Sequence, residues 1–186
     1  MGSEKGRGRI LHYGEIKKFD IANGIGVRVS LFVSGCRNAC PGCFNRDTWN
    51  FKYGKPFTKD TEKEIIDALA PSYVAGLTVL GGEPLEPENQ PDILEFLKTV
   101  REKLPQKTIW LFTGFTLEEL SEPDCRAKTP YLEELLRQID VLIDGRFEEE
   151  KKNISLQFRG SENQRVIDLK ATLQTGKITL WSDLRR

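Results

Sequence analysis

The sequence predicts an α/β fold, a partial and open β/α barrel of mostly parallel strands. Three observations predict it. Short runs rich in β-branched and aromatic residues recur at 27–33, 77–80, 108–112 and 141–143. Stretches with apolar residues at helical spacing lie between most of them. An unusual loop follows each run: a cysteine loop, then Gly81-Gly82, then Thr113-Gly114, then Asp144-Gly145. Alternating strands and helices imply a parallel sheet with crossover connections, and sites in such sheets form at the carboxyl ends of the strands. The units are too few for a closed eight-stranded barrel.

The elements follow in order. Residues 8–20 read as a first strand, turned back by Asn23-Gly24, a strong hairpin dipeptide. Val27 to Val33 is the second strand. Thr61-Glu62-Lys63-Glu64 has the form of a capping box, with Ile65, Ile66 and Leu69 on one helical face and Pro71 as the stop. Leu77 to Leu80 is a short buried strand. Ile93, Leu97, Val100 and Leu104 repeat as a helix stripe that Pro105 closes. Thr108 to Phe112 is a strand. Thr129-Pro130 reads as a cap with proline at the first helical position, leading into the stripe Leu132, Leu135, Leu136 and Ile139. Val141 to Ile143 is a strand, and 165–169 and 177–181 are two later ones.

Composition narrows the classes of function. The 186 residues suit one domain, with 1–10 as a flexible basic tail and 11–186 as the folded unit. The 28 basic residues balance 28 acidic ones, which argues against a broad nucleic-acid surface. No apolar run approaches a membrane span, and the N-terminus lacks the apolar core of a signal peptide. A cytoplasmic location is expected, where clustered thiols more often bind metal than form disulfides. The single histidine, His12, and the lack of a G-x-S-x-G elbow give acid–base hydrolysis little support; no acid–base catalytic residue is nominated.

Three of the four cysteines, Cys36, Cys40 and Cys43, fall on one loop in the spacing C-x3-C-x2-C. A structural zinc site takes four ligands, commonly as two pairs, and the fourth here would be Cys125 or His12, each distant in sequence. An iron–sulfur cluster held by three thiolates leaves one iron open to a small molecule. A buried or zinc-binding loop is the plainer alternative. Gly81-Gly82-Glu83-Pro84 is compatible with a simple turn. Paired glycines also let a ligand reach backbone carbonyls, and with the Glu83 carboxylate they suit an ammonium group. Cys125 reads as incidental and His12 as a strand residue. Glu148 to Lys152 reads as a solvated face, and Arg159 and Arg165 as either solvated or available to a carboxylate or a partner.

The cysteine spacing, followed by G-G-E-P after the next strand, resembles the radical S-adenosylmethionine superfamily. "NGIGVRVSLFVSGCRNACPGCFNRDTWN" narrows the resemblance to the glycyl-radical-enzyme activases. Within these, "CPGCFN", "GGEPLEPEN", "DVLIDGRF" and "LQFRGSENQRVID" are similar to the activating proteins of anaerobic ribonucleoside-triphosphate reductases, in collinear order over residues 12–182. The resemblance implies a radical-SAM type of fold. It implies a [4Fe-4S] cluster on Cys36, Cys40 and Cys43, with the amine and carboxylate of S-adenosyl-L-methionine on the open iron. Gly81, Gly82 and Glu83 would hold the ammonium end, Gly42, Cys43 and Phe44 the adenosine side, and Thr113 and Asp144 the sulfonium or ribose. Reductive cleavage would give a 5′-deoxyadenosyl radical that takes hydrogen from a glycine Cα on the reductase. The electron would come from a donor protein such as flavodoxin or ferredoxin. The chain departs from the pattern at Arg146, where these activases often have proline in Asp-Gly-Pro-Phe. Pyruvate formate-lyase activases share the "NRDTWN" stretch but usually carry Asp-Leu-Lys at 144–146. A non-catalytic zinc or iron–sulfur module is the alternative from a different class.

Overall fold

A computed structural model describes residues 10–182. The expected tail, apart from Ile10, lies outside the described residues. Seven strands form one sheet: β1 (His12–Asp20), β2 (Val27–Val33), β3 (Lys55–Pro56), β4 (Val74–Gly81), β5 (Thr108–Phe112), β6 (Val141–Asp144) and β7 (Arg165–Asp168). Their order is β3-β1-β2-β4-β5-β6-β7. The centre, β2-β4-β5-β6, is parallel. The flanks are antiparallel, with β1 paired to β2 and β3, and β7 paired to β6. The expectation of mostly parallel strands is therefore corrected to a mixed sheet with a parallel centre: the β1-β2 hairpin, the return through residues 34–54 to β3 and the long loop 145–164 before β7 reverse the chain without a crossover helix. The pairing order is that of an open sheet, with β3 and β7 as its edges.

The helices are α1 (Lys59–Leu69), α2 (Gln90–Lys103), α3 (Leu117–Ser121), α4 (Leu132–Arg137) and α5 (Leu169–Thr175). Side chains alternate across a strand, and the two faces of this sheet differ accordingly. Val29, Leu31, Leu77, Val79, Ile109, Leu111 and Leu142 join Ile65, Leu69, Ile93, Leu97, Leu132 and Leu135 of the helices in the main core. The opposite face carries Trp110, Val141, Ile143 and Val166, with Phe158 and Trp181 packed on them. Phe32, Leu80 and Phe112 belong to this second face and line a cleft at the carboxyl end of the sheet.

Two helix starts differ from the sequence reading. The α1 capping box is Thr58 with Thr61, not Thr61 with Glu64: each threonine oxygen accepts the other's backbone N–H at 3.3 Å. Phe57 is pinned just before it, its N–H bonded to Leu11 O and its ring packed on Phe96, so the chain turns three residues early. Thr129 does not cap α4, because its hydroxyl bonds Gln90 Oε1; residues 129–131 form a turn ahead of the helix. The strand expected at 177–181 reduces to one bridge, Ile167 with Leu180. β7 is only four residues long and α5 begins immediately after it. Among the described residues no helix is long and apolar enough to cross a membrane.

Candidate iron–sulfur site

The cysteine loop leaves β2 through Ser34 and Gly35. Ser34 N donates to His12 O and Gly35 N to Thr48 O, so the loop is anchored before it reaches Cys36. Gly35 has a φ of +102°, and a Cβ there would lie 2.3 Å from the Phe51 ring. Ala39, just before Cys40, takes the left-handed conformation at φ +49°. Cys43 N then donates to Cys40 O at 3.2 Å, with Pro41 second and Gly42, at φ +72°, third in the turn. A proline followed by a residue of positive φ is the type II arrangement, which explains the glycine.

The glycine turn is built onto this loop. Gly82 N donates to Val33 O at 2.7 Å and Glu83 N to Gly35 O at 2.8 Å. A Cβ on Gly82 would meet Gly35 O at 2.7 Å, so the two backbones touch only because no side chain intervenes. Glu83 is fully buried. Its Oε1 accepts from Leu85 N (3.0 Å) and Thr113 Oγ1 (2.8 Å), and its Oε2 from Asn38 Nδ2 (2.9 Å) and Gly114 N (2.7 Å). One carboxylate thus joins the cysteine loop, the glycine turn and the loop after β5. Burial pushes its pKa up, against the pull of these four donors.

A second buried carboxylate, Glu86, reinforces the joint. Its oxygens accept from Arg37 N (2.8 Å), Arg37 Nη1 (2.6 Å) and Arg126 Nη2 (3.1 Å). Asn89 Nδ2 donates to Ser34 O (3.1 Å) and Glu83 O (3.0 Å). Sequence reasoning nominated none of Asn38, Glu86, Asn89 and Arg126. The signal for two of them was present, since Glu86 and Asn89 complete the quoted "GGEPLEPEN".

These loops border a cleft of about 440 Å³. Cys36, Cys40, Cys43 and Phe44 line it, and so do Gly81, Gly82, Glu83 and Thr113. Two nominated residues are not brought to it. Gly42 faces the Glu149 carboxylate, about 3 Å from where a Cβ would sit, and its role here is the turn. Asp144 is buried in an ion pair with Arg165, with Leu117 N donating to its Oδ2 at 2.9 Å. Arg165 is thereby an internal partner rather than a solvated residue. Cys125 packs against the main core, and His12 lies in β1 with Nδ1 3.0 Å from Ile10 O; neither lines the cleft.

The thiols suit a cluster. Burial pushes the Cys36 thiol up to about 12, with Glu83, Glu86 and Cys40 adding to the effect, while the Asn38 N–H bonded to it pulls the other way. Burial also raises Cys40, next to Cys43, and the Phe147 N–H opposes this. Free thiolates are disfavoured here unless a cation compensates them, which iron would do. Backbone N–H groups aimed at sulfur are the kind of outer contact that tunes a cluster. Among the described residues no three His, Cys, Asp or Glu side chains converge as ligands of one ion. A cluster makes no such demand, because its thiolates bind separate irons.

This anchored three-cysteine loop corresponds to a known domain: residues 22–167 match the family model for a 4Fe-4S single cluster domain. The chain is 41% identical over 156 residues to the anaerobic ribonucleoside-triphosphate reductase-activating protein of Enterobacteria phage T4, covering 84% of this chain and 93% of that one. Against the protein of that name from Escherichia coli K12 it is 41% identical over 162 residues, 86% of this chain and all of the relative. The Pasteurella multocida protein of the same name is 42% identical over 156 residues, 83% of this chain and 95% of the relative. The chain belongs to the family of anaerobic ribonucleoside-triphosphate reductase-activating proteins.

Proposed function

We propose that the protein is a radical S-adenosyl-L-methionine enzyme that installs a glycyl radical on anaerobic ribonucleoside-triphosphate reductase. The observation that carries this reading is the joint between the cysteine loop and the glycine turn, made by Asn38 and Glu83 on the wall of one cleft. Cys36, Cys40 and Cys43 would hold a [4Fe-4S] cluster. Bound there and reduced by a donor such as flavodoxin or ferredoxin, the cluster would supply the one electron for reductive cleavage of S-adenosylmethionine to methionine and a 5′-deoxyadenosyl radical.

The chain's own residues bind and orient. Glu83 already receives four donors, so its part is to hold the turn and to place negative charge behind it. The carbonyl oxygens of Gly81 and Gly82 would receive the substrate ammonium. Phe44, largely exposed and packed at 5.1 Å on Phe147, offers an aromatic face to the adenosine side. Thr113 holds Glu83 and borders the same cleft. Asp144, turned to Arg165, acts in this reading by fixing β6 and β7 beside the cleft rather than by touching the nucleoside. The partner's glycine segment would enter from the open side of the cleft.

Reconstituted protein, reduced anaerobically with S-adenosylmethionine alone, tests the chemistry. Release of equal amounts of 5′-deoxyadenosine and methionine is expected. An iron–sulfur protein that leaves S-adenosylmethionine intact under reduction would remove the proposal.

A further inference from the structure

One wall of the cleft is used by neither the cysteines nor the glycine turn. It comes from residues 158–164, between the second 3-10 helix and β7. This turn is tightly built. Phe158 has a φ of +60°, a strained conformation for a bulky residue, and its ring stands edge-on to Trp110 at 5.4 Å. Gln164 Oε1 accepts from Gly160 N (2.8 Å) and Ser161 N (3.1 Å), and its amide donates to Gly145 O (3.0 Å).

Arg159 lies in this turn and lines the cleft. Its Nη1 donates to Gln164 O at 2.9 Å, which orients the guanidinium. Its Nε is buried without a hydrogen-bond partner, and among the described residues no carboxylate pairs with it. The other cleft arginine differs: Arg146 Nη1 is bonded to both oxygens of Glu119. Buried Arg28 also differs, its guanidinium bonded to Thr78, Thr108, Leu77 and Ile25. The Glu83 carboxylate is already filled by its four donors. An arginine on the cleft wall, with Nε unpaired and Nη2 without a partner among the described residues, can take a carboxylate at two points once its guanidinium edge turns to the cleft. A buried donor left unpaired is costly unless a ligand completes it.

We propose that Arg159 is the carboxylate receptor of this cleft. The inference rests on the reading of the cleft as an S-adenosylmethionine site open to a polypeptide. Two carboxylates then have access: that of the methionine moiety, and one on the reductase segment that enters.

Reconstituted full-length wild type, Arg159→Gln and Arg159→Lys are compared by anaerobic calorimetry with three ligands. These are S-adenosylmethionine, its decarboxylated analogue, and purified reductase. Arg159→Gln is expected to weaken one carboxylate ligand by about tenfold to a hundredfold, with lysine partly restoring it. If the methionine carboxylate is the ligand, the loss appears with S-adenosylmethionine and not with the decarboxylated analogue. If the reductase supplies it, both nucleosides bind as before and only reductase affinity falls. Unchanged affinity for S-adenosylmethionine and for reductase overturns the inference, as does an equal loss with both nucleosides. Wild-type protein that holds a cluster yet binds no S-adenosylmethionine would instead overturn the reading of the cleft, and this inference with it.

Discussion

The Asn38 side-chain amide donates to Glu83 Oε2 at 2.9 Å, bridging two segments 45 residues apart in sequence. Asn38 sits between the first and second cysteines, and Glu83 closes the glycine turn. The bond therefore sets the distance between the thiols and the carbonyls that would receive a substrate. Gly114 N and Thr113 Oγ1 complete the arrangement from the next strand.

Glu83→Gln tests this joint. The carboxylate faces four donors, and an amide offers an acceptor at one oxygen only. Its NH2 would point at two donors, leaving two buried groups unsatisfied. The loss is expected to be about 2–4 kcal/mol, despite removal of a buried charge. Chemical denaturation of the cluster-free protein reads it. A variant as stable as wild type would mean that burial of the charge outweighs the four bonds.

The glycines should separate into two kinds. Gly82→Ala drives a methyl into Gly35 O and Thr48 O, both backbone atoms that cannot step aside. It should cost about 2–3 kcal/mol and lower cluster content after reconstitution. Gly42→Ala meets only the end of the exposed Glu149 side chain, and the positive φ is its main penalty, about 1 kcal/mol. Comparison of the two melting temperatures and iron contents checks the order.

The cluster-free protein should lose stability in alkali. Cys36 titrates at about 12 in the folded state, against an ordinary value of 9.0. The folded state thus holds this proton more tightly than the unfolded chain. Stability is full below about pH 9 and falls as pH rises toward 12. Urea unfolding at pH 8 and pH 10.5 measures the slope, and Cys36→Ser should flatten it. An identical slope in the variant would assign the loss to other groups.

Iron and sulfide should depend on three cysteines and not the fourth. Alanine at Cys36, Cys40 or Cys43 is expected to abolish a stable cluster. Cys125→Ala should reconstitute like wild type, because Cys125 packs against the core away from the cleft. Iron and sulfide assays after anaerobic reconstitution decide it. A requirement for Cys125 would point to a four-thiolate site.

Much of this was legible in the sequence, for physical reasons. β2, β4, β5 and β6 are buried parallel strands, and such strands read as continuous apolar runs; Thr108 to Phe112 matched to the residue. The rim was legible because each strand ends at a loop of unusual composition. The edges were not. β3 has two residues and no pattern, and 177–181 looks like a strand but pairs with the four-residue β7 only through a single bridge. α3 was not legible as a helix, although Thr116 and Glu119 form a capping box, because only five residues follow. Within the site, ligand types announced themselves and partners did not. Asn38, Arg37 and Arg126 are ordinary polar residues until folding sets them against Glu83 and Glu86. Asp144 illustrates the converse: its place at the end of β6 suggested a ligand contact, and Arg165 on the neighbouring strand takes it instead.

Electron paramagnetic resonance on the reductase tests the central claim most directly. The reduced protein, S-adenosylmethionine and anaerobic ribonucleoside-triphosphate reductase are mixed without oxygen, with pyruvate formate-lyase in a parallel tube. The account predicts a glycyl radical doublet on the reductase, none on the lyase, and 5′-deoxyadenosine released with the radical. No radical on either protein, with S-adenosylmethionine recovered intact, would contradict it.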